Sequence, residues 1–194
     1  MLTWADMIKL SVPVLTAFGI IAAKYLYERK KQIEAKSECL WREIDQTIVN
    51  LHRSFETLDR LASAFRSGKI AMVQFNVPSI LRDAALSLAD LDAKNAYVFS
   101  DCVSFSDIVV SDFKALSDLR NKAIEDSPGS RPRIVEAIEL QVTSLKGNLL
   151  MLAEKEVAVL RVIRAGRPKR YDEQVIARAQ GEIEGAKKRF LPRS

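Results

Sequence analysis

Glycine and proline are scarce in this chain, seven and six in 194 residues. A fold of many short strands needs such residues at turn after turn, so the scarcity argues against one and favours long helices. Two cysteines, Cys39 and Cys102, form no CxxC pair, and His52 is the only histidine. A Cys/His zinc site then has too few ligands, and the paired Glu-x-x-His motifs of a di-metal centre are missing. Both cysteines read as reduced packing residues, and no cofactor is expected. No GxSxG turn, phosphate-cradling glycine loop or HExxH pair occurs, so no catalysis is expected. Charge of neither sign dominates: 30 Lys and Arg stand against 25 Asp and Glu, a net +5. The length suits one domain, and 48% hydrophobic with 28% charged residues is ordinary for a folded chain.

One stretch departs from that balance. Between Lys9 and Lys24 no residue is charged, though this core alone, about 21 Å as a helix, is shorter than a hydrocarbon layer of about 30 Å. Extended from Trp4 to Tyr27 it reaches about 36 Å, with Lys9 and Lys24 snorkelling outward. Trp4, Tyr25 and Tyr27 then fall at the two interfaces, where amphipathic rings are favoured. Pro13 is tolerated near the first turns of such a helix. Asp6 offsets Lys9 and more apolar residues follow the only small-x-small site, Ala17-Phe18-Gly19, which weighs against a cleaved signal peptide. An interfacial helix or a buried first helix of a soluble bundle are the other readings. Lys24, Arg29, Lys30, Lys31 and Lys36 follow the apolar stretch, so the positive-inside rule places the N-terminus outside and the rest of the chain in the cytoplasm.

Downstream, apolar residues recur at steps of three and four: Trp41, Ile44, Ile48, Leu51, Phe55, Leu58, Ala62 and Phe65. That is the seven-residue repeat of helices wound on one another. With no Gly or Pro between Lys24 and Gly68, the anchor is expected to continue into this helix and to stop at Ser67-Gly68. After KIAMVQF, Asn76 and Pro78 suit the start of a second helix, with a seam at Leu81, Ala84, Leu88, Leu91, Asn95, Val98, Cys102, Phe105, Val109, Asp112, Leu116 and Leu119. Poor helix formers near Ser100 to Ser106 allow a kink or strand character there. DSPGSRP breaks the pattern, with Ser130 as cap and Pro132 in the next first turn. The third seam runs Val135, Ile138, Val142, Leu145, Leu149, Leu152, Glu156, Val159 and Ile163, ending at Gly166 and Pro168. A last helix over 172–189 has Asp172 as cap and a thinner apolar face, Val175, Ile176, Ala179, Ile183, Ala186 and Phe190, suited to loose docking.

The expected fold is all-α: a transmembrane helix continuing into an antiparallel three-helix, coiled-coil-like bundle, plus a short C-terminal helix. Residues 1–31 form the anchor and basic cluster, 32–166 the cytoplasmic bundle, and 167–194 a basic linker and amphipathic helix. An up-down-up order places Gly166 at the end far from the bilayer, on the order of 50 Å away.

Two groups of residues could carry a further role. In RVIRAGRPKRY, the residues Arg161, Arg164, Arg167, Lys169 and Arg170 surround a Gly-Arg-Pro that resembles the core of an AT-hook, an arm laid into the DNA minor groove. Ala165 replaces the preceding Arg of that core, and basic residues at a helix C-terminus are also favoured by the dipole. Second, Asn95, Asp112 and Glu156 interrupt the seams, and with His52 nearby they could form a polar layer inside the bundle. The usual role of such a layer is to fix register. His52, in NLHRSFETL, lacks a phosphotransfer context and with Glu56 one turn on reads as a surface pair. The function expected is a membrane-anchored module working through protein contacts or self-association; the alternative is a membrane-tethered protein that contacts nucleic acid through 161–170.

Overall fold

The structure, a computed structural model, describes residues 4–69, 82–125 and 131–190, and the side chains of all of these except 4–15, 17 and 131. The expectations for KIAMVQF, Asn76, Pro78, Leu81 and Ser130 lie outside the described residues. Among those described there are six helices and no strand: α1 (Trp4–Val49), α2 (Leu51–Arg66), α3 (Arg82–Leu91), α4 (Ala96–Glu125), α5 (Arg131–Gly166) and α6 (Glu173–Phe190).

The first expected rod is divided at Asn50. Its N–H is shared between the carbonyls of Gln46 and Thr47, and its side-chain amide donates to Gln46 O at 2.8 Å. A side chain that competes for the ladder in this way loosens one turn, yet the backbone there stays in the helical region and α2 carries the seam onward. Every position of the expected first seam is buried except Ala62, which is partly buried. The stop is the expected one. Gly68 adopts φ +74, its N–H bonds Phe65 O at 3.0 Å, and Lys69 N–H bonds Ala64 O at 2.9 Å, which is the Schellman closure that only glycine enters without strain.

The three-helix order is corrected in the middle of the chain. The expected second helix is two, α3 and α4, folded against each other through a turn at Asp92–Asn95. Asn95 donates from its backbone to Asp92 O at 3.0 Å and from its side chain to Asp92 Oδ2 at 2.9 Å. Asp and Asn bonding each other locally displace the helical ladder without any Gly or Pro. No strand forms near Ser100 to Ser106: α4 is continuous, with Val98, Cys102, Val103 and Ser106 buried and Ser100, Asp101 and Ser104 outward.

Contacts fix the directions. Arg66 meets Glu139, Lys146 meets Asp59 and Arg167 meets Glu34, so α5 runs antiparallel to α1–α2. Asp101 pairs with Lys155 and Asp112 accepts from Gln141, so α4 is also antiparallel to α5. The short α3 packs on both α1 and α4, and α6 packs on α1, α2 and α5. The core is continuous through all six helices, from Leu40 and Trp41 at one end to Phe65 at the other. α6 docks more firmly than its thin face predicts. Ile176, Ala179, Ile183 and Ala186 are buried, Tyr171 stacks on Trp41 at 4.6 Å, and Arg178 and Arg189 pair with Asp45 and Glu56. Asp172 caps it as expected, accepting from Gln174 N–H at 2.9 Å.

Candidate functional site

The first half of α1 stands clear of the bundle. Phe18, Ile20, Ile21, Tyr25, Leu26 and Tyr27 are 61–68% exposed, and burial begins only around Ile33 and Ser37. At about 100° per residue, Leu26, Ile20 and Ile21 lie roughly 80°, 200° and 300° around the axis from Phe18, so the rod is apolar on every side. Lys24, Lys30 and Lys31 are exposed, and Arg29 is half-buried because its guanidinium donates to Leu91 O at 2.9 Å. Trp4 and Lys9 belong to α1, but their side chains lie outside the described residues. Among the described residues no helix is long and apolar enough to cross a membrane; the apolar length from 16 to 27 is about 18 Å.

The basic segment is not where an up-down-up order puts it. Because α3 and α4 supply two passes in place of one, α5 descends, and Gly166 lies beside α1 at the end from which the exposed rod emerges. The expectation of a remote cationic tip is therefore corrected. Arg167 lies 3.0 Å from Glu34, Arg170 pairs with Glu38, and Arg164 lies 2.8 Å from Glu173. Arg170 holds the Glu38 carboxyl below its ordinary range, chiefly by hydrogen bonding. Arg161 and Lys169 are exposed. Two of the five cations thus fasten the α5–α6 turn to α1 and a third, Arg164, links α5 to α6 across it, rather than presenting a free arm. The signal for this was the run of acids on α1, Glu34, Glu38 and Asp45, which face the arginines of the last segment.

The four polar residues do not form one layer. Asn95 is in the α3–α4 turn. Asp112 accepts from Gln141 at 3.1 Å and Asn148 at 2.6 Å, joining α4 to α5. His52 sits against α6, with Phe190 edge-on at 5.0 Å and Nδ1 3.9 Å from Glu182. Glu156 is 1% exposed, and among the described residues neither of its carboxylate oxygens has a hydrogen-bond partner. Burial, with a smaller contribution from Glu43, raises its pKa well above the ordinary carboxylate value. Cys102 lies in the field of the same acid, and burial pushes its thiol upward. Of the two free cysteines only Cys102 packs in the core, since Cys39 is exposed. Among the described residues no group of three or more His, Cys, Asp or Glu side chains is placed to hold a metal ion.

Compared with protein-family models, curated proteins and solved structures, the chain matches none.

Proposed function

We propose that the protein is a single-pass, membrane-anchored helical bundle that serves as an interaction or scaffold module, with the anchor running from Trp4 to Tyr27 and the bundle on the cytoplasmic side. The observation that carries the reading is the all-round apolar exposure of α1 between Phe18 and Tyr27. A helix meant for a partner helix keeps one polar side, whereas one that is apolar on every face suits lipid. Its described part continues, in sequence, the uncharged run that begins after Lys9, and the full stretch has the length a bilayer needs. The basic residues from Lys24 to Lys31 mark the cytoplasmic boundary. The bundle itself then acts through contacts with other proteins; Leu140 and Met151, 67% and 42% exposed on one face of α5, are available for them.

The test uses the full chain, expressed with a reporter at either end and recovered in membrane pellets washed at high pH. Retention in the pellet, with the C-terminal reporter active only in the cytoplasm and the N-terminal one only outside, is the expected result. Release into the wash overturns the anchor, and a reversed pattern overturns the orientation.

A further inference from the structure

The turn between α3 and α4 is tied to the base of the exposed rod. Arg29 of α1 reaches Leu91 O at 2.9 Å, which pins the turn beside the basic residues that follow Tyr27. Along the axis Arg29 is only two residues, about 3 Å, beyond Tyr27. Glu34 and Glu38, the α1 residues that fasten the α5–α6 turn, lie about 10 Å or more beyond Tyr27 along the helix.

At the α3–α4 turn, Ala93 and Lys94 are exposed, and Tyr97, in the first turn of α4, is 71% exposed, more than any other large hydrophobic residue described. Asp92, the acid within the turn, is occupied by the Asn95 amide. Lys94 makes no ion pair among the described residues, in contrast to Arg164, Arg167 and Arg170. An unpaired lysine three residues from an exposed tyrosine, level with the basic collar of the rod, combines the two side-chain types that a bilayer surface favours: a cation for phosphate and an amphipathic ring for the interface.

We infer that the α3–α4 turn is a second membrane contact, in which Lys94 binds anionic phospholipid headgroups and Tyr97 enters the interface. The inference rests on the anchored reading. With one rigid rod entering the bilayer and one turn resting on it, the bundle is held at a fixed angle to the membrane instead of swivelling on its anchor. Across the rod collar and the turn, Lys24, Arg29, Lys30, Lys31 and Lys94 stand against Glu28, Asp90 and Asp92, so the surface offered to the lipid is cationic as a whole although the turn by itself is not.

The experiment places an environment-sensitive fluorophore on the full chain, with Cys39→Ser removing the exposed thiol and Cys102 left in the core. Three positions are labelled singly through Lys31→Cys, Ala93→Cys and Ser63→Cys, in phosphatidylcholine vesicles with and without phosphatidylglycerol, and quenching by a headgroup-nitroxide lipid is read. Quenching at 31 and 93 but not at 63 is expected, with quenching at 93 increased by phosphatidylglycerol and decreased by salt. Lys94→Gln should lower that lipid-dependent increase at 93 roughly fivefold while leaving 31 unchanged. Quenching at 31 with none at 93 overturns the second contact alone. Equal quenching at 93 with and without anionic lipid overturns the headgroup assignment. No quenching at 31 overturns the anchored reading and this inference with it.

Discussion

The Arg167 guanidinium lies 3.0 Å from a carboxylate oxygen of Glu34, which ties the turn after α5 to α1 about two helical turns beyond the exposed tyrosines. Arg170 and Glu38 repeat the tie one turn further on. These pairs set the height of the whole C-terminal segment against the rod, and α6 climbs from there along α1 and α2.

Arg170→Gln should loosen that fastening without unfolding the bundle. The expected result is faster amide exchange across Glu173–Phe190, with α4 and α5 unchanged. Raising salt should act in the same direction, since these pairs are at the surface and screened. Acid should as well. Glu38 has its pKa lowered by Arg170, so its pairing is present above the ordinary carboxylate range and is lost as pH falls through the depressed value.

Tyr171 separates packing from hydrogen bonding. Its ring lies 4.6 Å from Trp41 and its hydroxyl is buried with no hydrogen-bond partner among the described residues. Tyr171→Phe should therefore leave thermal stability equal or raise it by about 1 kcal/mol, by removing an unsatisfied group. Tyr171→Ala removes the stacked ring and should cost about 3 kcal/mol. The ordering of the two in a detergent melt is the check, and a loss on Tyr171→Phe would mean that the hydroxyl has a partner.

Glu156 gives the stability a pH dependence of opposite sign to that of Glu38. The folded chain keeps a proton that the unfolded chain releases above about pH 4, so stability falls as pH rises from there through the raised folded pKa. Glu156→Gln should flatten the decline between acidic and neutral pH. Glu156→Leu should raise stability at neutral pH by about 1–3 kcal/mol, because it removes a buried group that has no partner. Above the ordinary carboxylate range, where Glu38 no longer titrates, melting temperatures of the three proteins would show a falling slope confined to the wild type; parallel slopes there would place the titration elsewhere.

Gly68→Ala tests the end of α2. Among the described residues nothing lies within 4 Å of an added Cβ, so the expected cost is chiefly that of the φ +74 backbone, about 1 kcal/mol. Gly68→Asn should cost less, since Asn enters this region more readily. A denaturant midpoint for each variant distinguishes them.

Much of the core was legible from spacing. Trp41, Ile44, Ile48, Leu51, Phe55, Leu58 and Phe65 are buried as their repeat predicts, as are Ile138, Val142, Leu145, Leu149, Leu152, Val159 and Ile163 on α5. The seam through Leu88, Val98, Cys102, Val109 and Leu116 is buried too, although the chain reverses within it. The repeat kept its phase across the Asp92–Asn95 turn, so periodicity carried no sign of the break. The only local cue was the pairing tendency of Asp and Asn, and such residues are also tolerated on an exposed helix face. Glu156 was visible as an acid at a seam position, but its isolation depended on which helices close around it.

The sequence by itself determined the helices and the side of each that faces inward, because a three-and-four spacing of apolar residues is a local property that any packing must respect. It also set apart an uncharged leading segment ending in Lys24 to Lys31. Only the tertiary structure decided which end of the bundle receives the 161–170 cations and how the polar residues are dispersed. One extra reversal, closed by two hydrogen bonds between Asp92 and Asn95 and braced by Arg29 against Leu91, inverts the direction of every helix after it. A helix's inward face is the same whichever way it runs, so nothing in the repeat could have revealed that inversion.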